Sequence, residues 1–141
     1  VRVINSKIKY FGFFALVAFD QASKAFALKY FDALTQINAR GAFSISLGNI
    51  DFTIISSGAI ILFIALTWFF DKRYLTHPGS ILILSGGVSN LVDRFVYGGV
   101  VDFFKTNFWA NFNLADTFIT VGAILLALEI LFSGKTKQLL F

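Results

Sequence analysis

Apolar residues in this chain come in long unbroken runs rather than in alternation. From Phe52 to Phe70, nineteen residues pass without a charge, roughly 28 Å of helix and enough to cross a hydrocarbon core. Nearer the start, Arg2, Lys7 and Lys9 precede the apolar run Tyr10 to Phe19. That is how a cleaved leader begins, but no small-residue cleavage site follows and Asp20 and Lys24 interrupt, so a retained helix is predicted over about Ile8 to Phe31. A polar stretch, Asp71 to Gly79, holds the only proline. Beyond it a third helix is predicted over about Ser80 to Val96, apolar at Ile81 to Leu84 and polar on one face thereafter. A fourth follows over about Ala115 to Phe132. Barrel strands would alternate apolar and polar residues, so the pattern indicates helices. The fold class expected is an all-α membrane protein, residues 1–141 forming a single domain with a bundle of four transmembrane helices.

Charge orients this bundle. Seven of the twelve Lys and Arg residues are Arg2, Lys7, Lys9, Lys72, Arg73, Lys135 and Lys137, which places both termini and the central loop on the cytoplasmic side. The net charge of +4 is therefore read as membrane orientation, not nucleic-acid binding. Asp32 to Asp51 and Tyr97 to Asn113 then lie on the far side. GAFSISLGN (Gly41 to Asn49) alternates between glycines, and GGVVDFF (Gly98 to Phe104) has a β-branched pair, so a small extracytoplasmic β element is expected.

Composition narrows the chemistry. The chain is 57% hydrophobic and only 14% charged, as a membrane protein is. It has no cysteine, which removes disulfides, thiolate metal sites and cysteine nucleophiles. The single histidine, His77, sits beside Pro78 and is expected to be a solvated loop residue, so a serine triad or histidine zinc site lacks its histidine. No metal or other cofactor is expected, and carboxylates remain.

The polar residues concentrate in Ser85 to Asp116. Asn90, Asp93 and Arg94 stand at i, i+3 and i+4, a stripe that must face a bundle interior or a wet cavity. Its alternative role is polar glue between helices. Gly86 and Gly87, one turn earlier, permit close approach of a neighbouring helix or a substrate chain. Asp20 and Lys24 share a helix face as an ion pair, structural or functional. Asn113 and Asp116 are three apart at a helix start, where such residues commonly cap. Asp93, Asp102 and Asp116 should approach one membrane face. Two carboxylates held together share a proton and supply a general acid and a general base. Spacing leaves open whether Asp93 or Asp102 partners Asp116.

Five motifs in order, DQASK (Asp20 to Lys24), NARGAFS (Asn38 to Ser44), GGVSNLVDR (Gly86 to Arg94), GGVVDFF and FNLAD (Phe112 to Asp116), resemble those of the lipoprotein signal peptidases, or signal peptidase II. The resemblance covers most of the chain. It implies an aspartyl protease of the bacterial inner membrane that cleaves prolipoproteins just before a diacylglyceryl-modified cysteine, with membrane lipid around it and its active site at the extracytoplasmic face. A monomer is expected. By motif, the catalytic pair is Asp102 and Asp116. Asp20, Lys24, Asn38, Asn90, Asp93, Arg94, Asn113 and Ala115 match positions that bind substrate or support the pair. Departures are Arg40, where the family usually has glycine, Ser89 in place of a second glycine, and a short Ala25 to Ile37 stretch where relatives carry more β structure. The competing readings are an inactive or divergent paralogue and a small non-enzymatic carrier using the same acids. The presence of both aspartates argues against the first, and the lack of internal symmetry against the second.

Overall fold

The computed structural model describes residues 6–39, 52–106 and 110–138. Its main elements are the helices α1 (Ser6–Tyr30), α2 (Phe52–Phe70), α3 (Pro78–Tyr97) and α4 (Leu114–Gln138). The bounds of α2 are those predicted; α4 continues past Phe132 in a polar extension. Three of the four are long and apolar enough to cross a membrane: Ile8–Tyr30, Phe52–Phe70 and Leu114–Phe132. In contrast, α3 carries serine, glycine and charge where the others carry Phe, Ile and Leu.

That composition fits the place of α3 in the bundle. It buries Gly79, Ser80, Ser85, Gly86, Ser89 and Asp93, all small or polar. The large apolar side chains instead point outward, with Phe69 79% exposed and Phe11 75%. A protein with lipid as its solvent gains nothing by hiding leucine and packs instead through small residues. Between α3 and α4 the backbones touch: a Cβ on Gly86 would lie 2.3 Å from the Ala115 carbonyl oxygen, and one on Gly122 would lie 2.5 Å from that of Gly79. Gly86 seats the first turn of α4 on α3, and Gly122 seats a later turn of α4 on the start of α3.

Both ends of α3 are capped. His77 lies in the loop, as expected, but is only partly solvated and has a capping role: its Nδ1 accepts the Gly79 N–H at 3.1 Å, with Pro78 starting the helix. Pro at this position forfeits no helical hydrogen bond. At the other end Gly98 adopts φ +73°, the left-handed conformation that terminates helices. The chain then enters β2 (Val100–Asp102), which pairs antiparallel with β1 (Gln36–Asn38) in the register Gln36↔Asp102, Ile37↔Val101 and Asn38↔Val100. A strand within GGVVDFF is thus present, while GAFSISLGN lies outside the described residues. Downstream of β2, a bridge between Phe104 and Phe112 closes the loop that leads to α4.

Candidate active site

The start of α4 is built as a reciprocal cap. Asn113 Oδ1 accepts the Asp116 N–H at 3.0 Å, and Asp116 Oδ2 accepts the Asn113 N–H at 3.1 Å. This is the capping-box arrangement, with aspartate in the third helical position. The capping role foreseen for these two residues is therefore real, and it pins one oxygen of Asp116. The other oxygen, Oδ1, accepts from Asn90 Nδ2 at 2.9 Å.

Asn113 also reaches across to β2. Its Nδ2 donates to Asp102 Oδ1 at 2.9 Å, and Asn38 Nδ2 donates to Asp102 Oδ2 at 3.2 Å. Asp102 is only 3% exposed. Burial pushes its carboxyl from 3.8 up to about 6, and the charge of Asp116 adds to the rise against the donors Asn38 and Asn113. Asn113 thus contacts both acids, its side-chain amide the Asp102 carboxylate and its backbone N–H that of Asp116, and both acids line a cavity of about 1040 Å³. Asn38, Asn90 and Arg94 stand at the same polar end, and Ile60, Phe63, Ile83 and Ile119 line its apolar length between α2, α3 and α4. The Arg94 guanidinium carbon lies 5.8 Å from the ring centroid of Phe52, within cation–π range.

Behind this end lies a buried ionic cluster. Lys24 Nζ is 2.6 Å from Asp20 Oδ2, 2.7 Å from Asp93 Oδ2 and 2.9 Å from Asn90 Oδ1, three acceptors for three N–H bonds. Asp20 and Asp93 have no exposed side-chain surface and Lys24 has 1%. Asp93 Oδ2 also accepts the Val101 N–H at 3.1 Å, and Asp20 Oδ1 accepts the Ala115 N–H at 2.8 Å. The cluster therefore ties α1 to α3, β2 and the head of α4. It also orients Asn90: with Oδ1 held by the ammonium, Nδ2 faces Asp116.

The predicted residues fall into two groups. Asn38, Asn90, Arg94, Asp102 and Asp116 line the cavity. Asp20, Lys24, Asp93, Asn113 and Ala115 are buried beside or behind it. The stripe predicted on α3 is divided accordingly: Asn90 and Arg94 face the cavity, while Asp93 turns toward α1 with Gln21 on one oxygen and Lys24 and Val101 on the other. Two participants were not foreseen, Gln21 and Ser89. Gln21 Nε2 lies 2.7 Å from Asp93 Oδ1, 2.9 Å from Ser89 Oγ and 3.0 Å from the Ser89 carbonyl. Spacing held the signal for both, since Gln21 sits within a turn of Asp20 and Lys24, and Ser89 is four residues before Asp93 on one helix face. Arg40 lies outside the described residues.

Helices of membrane-spanning length around a carboxylate-lined, largely apolar cavity define a membrane enzyme rather than a soluble one. The chain belongs to the signal peptidase II family: the family model described as signal peptidase (SPase) II matches residues 12–132. A lipoprotein signal peptidase of Caldicellulosiruptor bescii is 41% identical, the match covering 86% of this chain and 89% of that protein. One of Syntrophomonas wolfei is 33% identical, covering 93% and 98%. A bacterial membrane enzyme solved by the in meso method at 2.3 Å has the same fold, with a TM-score of 0.72 at 24% identity over 94% of this chain and 92% of that one. The chain is thus a peptidase.

Proposed function

We propose that this chain is the aspartyl endopeptidase that removes the signal peptide from diacylglyceryl-modified prolipoproteins, cutting before the lipidated cysteine, with Asp102 and Asp116 as its catalytic pair. The observation that carries this reading is Asn113, whose side-chain amide holds the Asp102 carboxylate and whose backbone N–H holds that of Asp116, at the polar end of an apolar cavity. Such a cavity suits an amphiphile whose acyl chains lie among Ile60, Phe63, Ile83 and Ile119 and whose scissile amide lies against the acids.

In the reaction, one carboxylate takes a proton from water as its oxygen attacks the amide carbonyl carbon. The protonated partner hydrogen-bonds the carbonyl oxygen as charge develops there, and a proton then passes to the amide nitrogen as the C–N bond breaks and the amine leaves. The two acids titrate as a unit. Asn38, Asn90 and Asn113 supply fixed N–H donors to carboxylate oxygens, and donors already oriented require no rearrangement in the transition state. Lys24 and Asp20 act through Asn90 and Ala115.

In this reading residues 1–141 are one monomeric domain. Enclosed by the other helices, α3 is the fourth to cross the bilayer, its polar side chains directed inward. Lys72 and Arg73 mark the cytoplasmic side of the bacterial inner membrane with both termini, and β1 and β2 stand at the extracytoplasmic face beside the acids.

The test is incubation of the purified protein with a diacylglyceryl-modified prolipoprotein, reading release of the signal peptide. Cleavage of the lipidated but not the unlipidated substrate is expected, with Asp102→Asn and Asp116→Asn each inserted, folded and inactive. Full activity in either variant would sink the assignment of the pair.

A further inference from the structure

Ser89 has no part in the chemistry described so far, yet its hydroxyl is fully engaged in the interior. It is completely buried on α3. Its Oγ donates to Asp20 Oδ2 at 2.7 Å and lies 2.9 Å from the amide nitrogen of Gln21, from which it accepts. The same Asp20 oxygen takes Lys24 at 2.6 Å, and the other Asp20 oxygen takes the Ala115 N–H at 2.8 Å. Ala115 immediately precedes Asp116, and its N–H is one of those that a helix leaves without an internal partner at its start.

Asp20 must therefore serve α1 with one oxygen and the head of α4 with the other. Rotation of its carboxylate would break one contact to improve the other. Lys24 does little to prevent this, because its ammonium rides on a long side chain and has two further acceptors, Asp93 and Asn90. A hydroxyl one carbon from a helix backbone cannot follow such a rotation. We propose that Ser89 is a positioning residue for Asp116: by holding one oxygen of Asp20 it keeps the other on the Ala115 N–H, and so fixes the turn of α4 from which Asp116 projects. Ser89 and Asn90 then grip that turn from adjacent positions on α3, one through Asp20 and Ala115, the other through Asp116 itself.

The inference rests on the peptidase reading, and its test separates the two. The full chain, purified in lipid nanodiscs, is compared as wild type, Ser89→Ala, Ser89→Thr, Asp20→Asn and the double variant Asp20→Asn/Ser89→Ala. The readouts are kcat, KM and the pH dependence of kcat on a diacylglyceryl-modified prolipoprotein, together with hydrogen exchange at the Ala115 and Asp116 amides. Ser89→Ala is expected to lower kcat roughly tenfold, the usual scale for a lost hydrogen bond to a charged group. KM should stay within about twofold, the pH profile of kcat should be displaced, and both amides should exchange faster. Ser89→Thr, which keeps the hydroxyl, should restore kcat and slow exchange. The double variant should be no slower than Asp20→Asn, since both changes act through one carboxylate. Wild-type kcat and exchange in Ser89→Ala would overturn the proposal, as would an equal loss in Ser89→Thr, which marks a packing role. A wild-type protein that fails to cleave overturns the peptidase reading instead, and amide exchange still judges the positioning of α4.

Discussion

Asn113 does two jobs that usually belong to different residues. As a cap it satisfies the Asp116 N–H, and as a donor it holds the Asp102 carboxylate, so the geometry of the pair is part of the geometry of a helix end. The cap also answers why an acid sits in the first turn of α4, where the helix dipole favours negative charge. Asp102 has no helix to help it. Its two oxygens depend on Asn38 and Asn113, and removing the first has a definite sign. The Asn38 donor favours the ionised form, so in Asn38→Ala the Asp102 carboxyl should rise above its value of about 6. The acidic limb of the pair's pH–rate profile should then move to higher pH. Stability follows the same sign. A carboxyl raised in the folded state binds its proton there more tightly than in the unfolded chain, so its contribution is most favourable below about 3.8 and is lost as pH rises through about 6. A pH–rate profile and unfolding at several pH values on Asn38→Ala check both; an unmoved limb would show that the Asn38 donor does not tune the pair.

At the scale of elements, the glycines on α3 and α4 decide how near Asp116 comes to Asn90. Two of them lie at opposite ends of the seam. Gly86 faces the Ala115 carbonyl beside the site, and Gly122 faces Gly79 far from it, each with backbone where a Cβ would go. Gly86→Ala and Gly122→Ala should therefore both destabilise, by about 1–3 kcal/mol, as overpacking does. Only Gly86→Ala should also cut kcat, because it pushes the first turn of α4 off α3. Equal kcat in the two folded variants would show that the seam does not set the site. The sequence displays this framework unevenly. Helices announce themselves by length and hydropathy, as α2 does to the residue, and the second strand by the β-branched Val100 and Val101 after Gly98 and Gly99. But β1 is only Gln36, Ile37 and Asn38, a run too short to carry a period, and it is a strand because β2 is there to pair with it. The site divides in the same way. Residue types and motif spacing mark Asp20, Asp102 and Asp116, whereas the bond from Asp20 to the Ala115 N–H joins positions 95 apart. No local pattern contains it.

On the scale of the whole molecule, the protein is apolar outside and polar within, and its cavity joins the two regimes. The acids lie at its polar end, and its apolar length runs between α2 and the α3–α4 pair, where a diacylated substrate could lie with its chains still among apolar groups. Gly87 is placed to test that path. It follows Gly86 by one residue, about 100° further round the helix, and faces α2 instead of α4: a Cβ there would meet no backbone, only the Ile60 side chain at 3.3 Å. A larger residue at 87 should thus extend into the cavity while α3 keeps its seat on α4, and replacing a helical glycine should add about 1 kcal/mol of helix propensity. The Ile60 side chain must give by a few tenths of an ångström to admit the new Cβ, which offsets that gain, so Gly87→Leu is expected to fold with a stability within about 1 kcal/mol of the wild type. Its side chain would take the volume assigned to acyl chain, so KM for the diacylated substrate should rise at least tenfold, the scale on which an apolar pocket answers to lost methylene contacts. The turnover of bound substrate should change little, because nothing at position 87 touches the acids. Measured beside Gly86→Ala, the pair separates binding from alignment: a rise in KM at 87 and a fall in kcat at 86. An unchanged KM in a stable Gly87→Leu would mean that the lipid reaches the acids by another route.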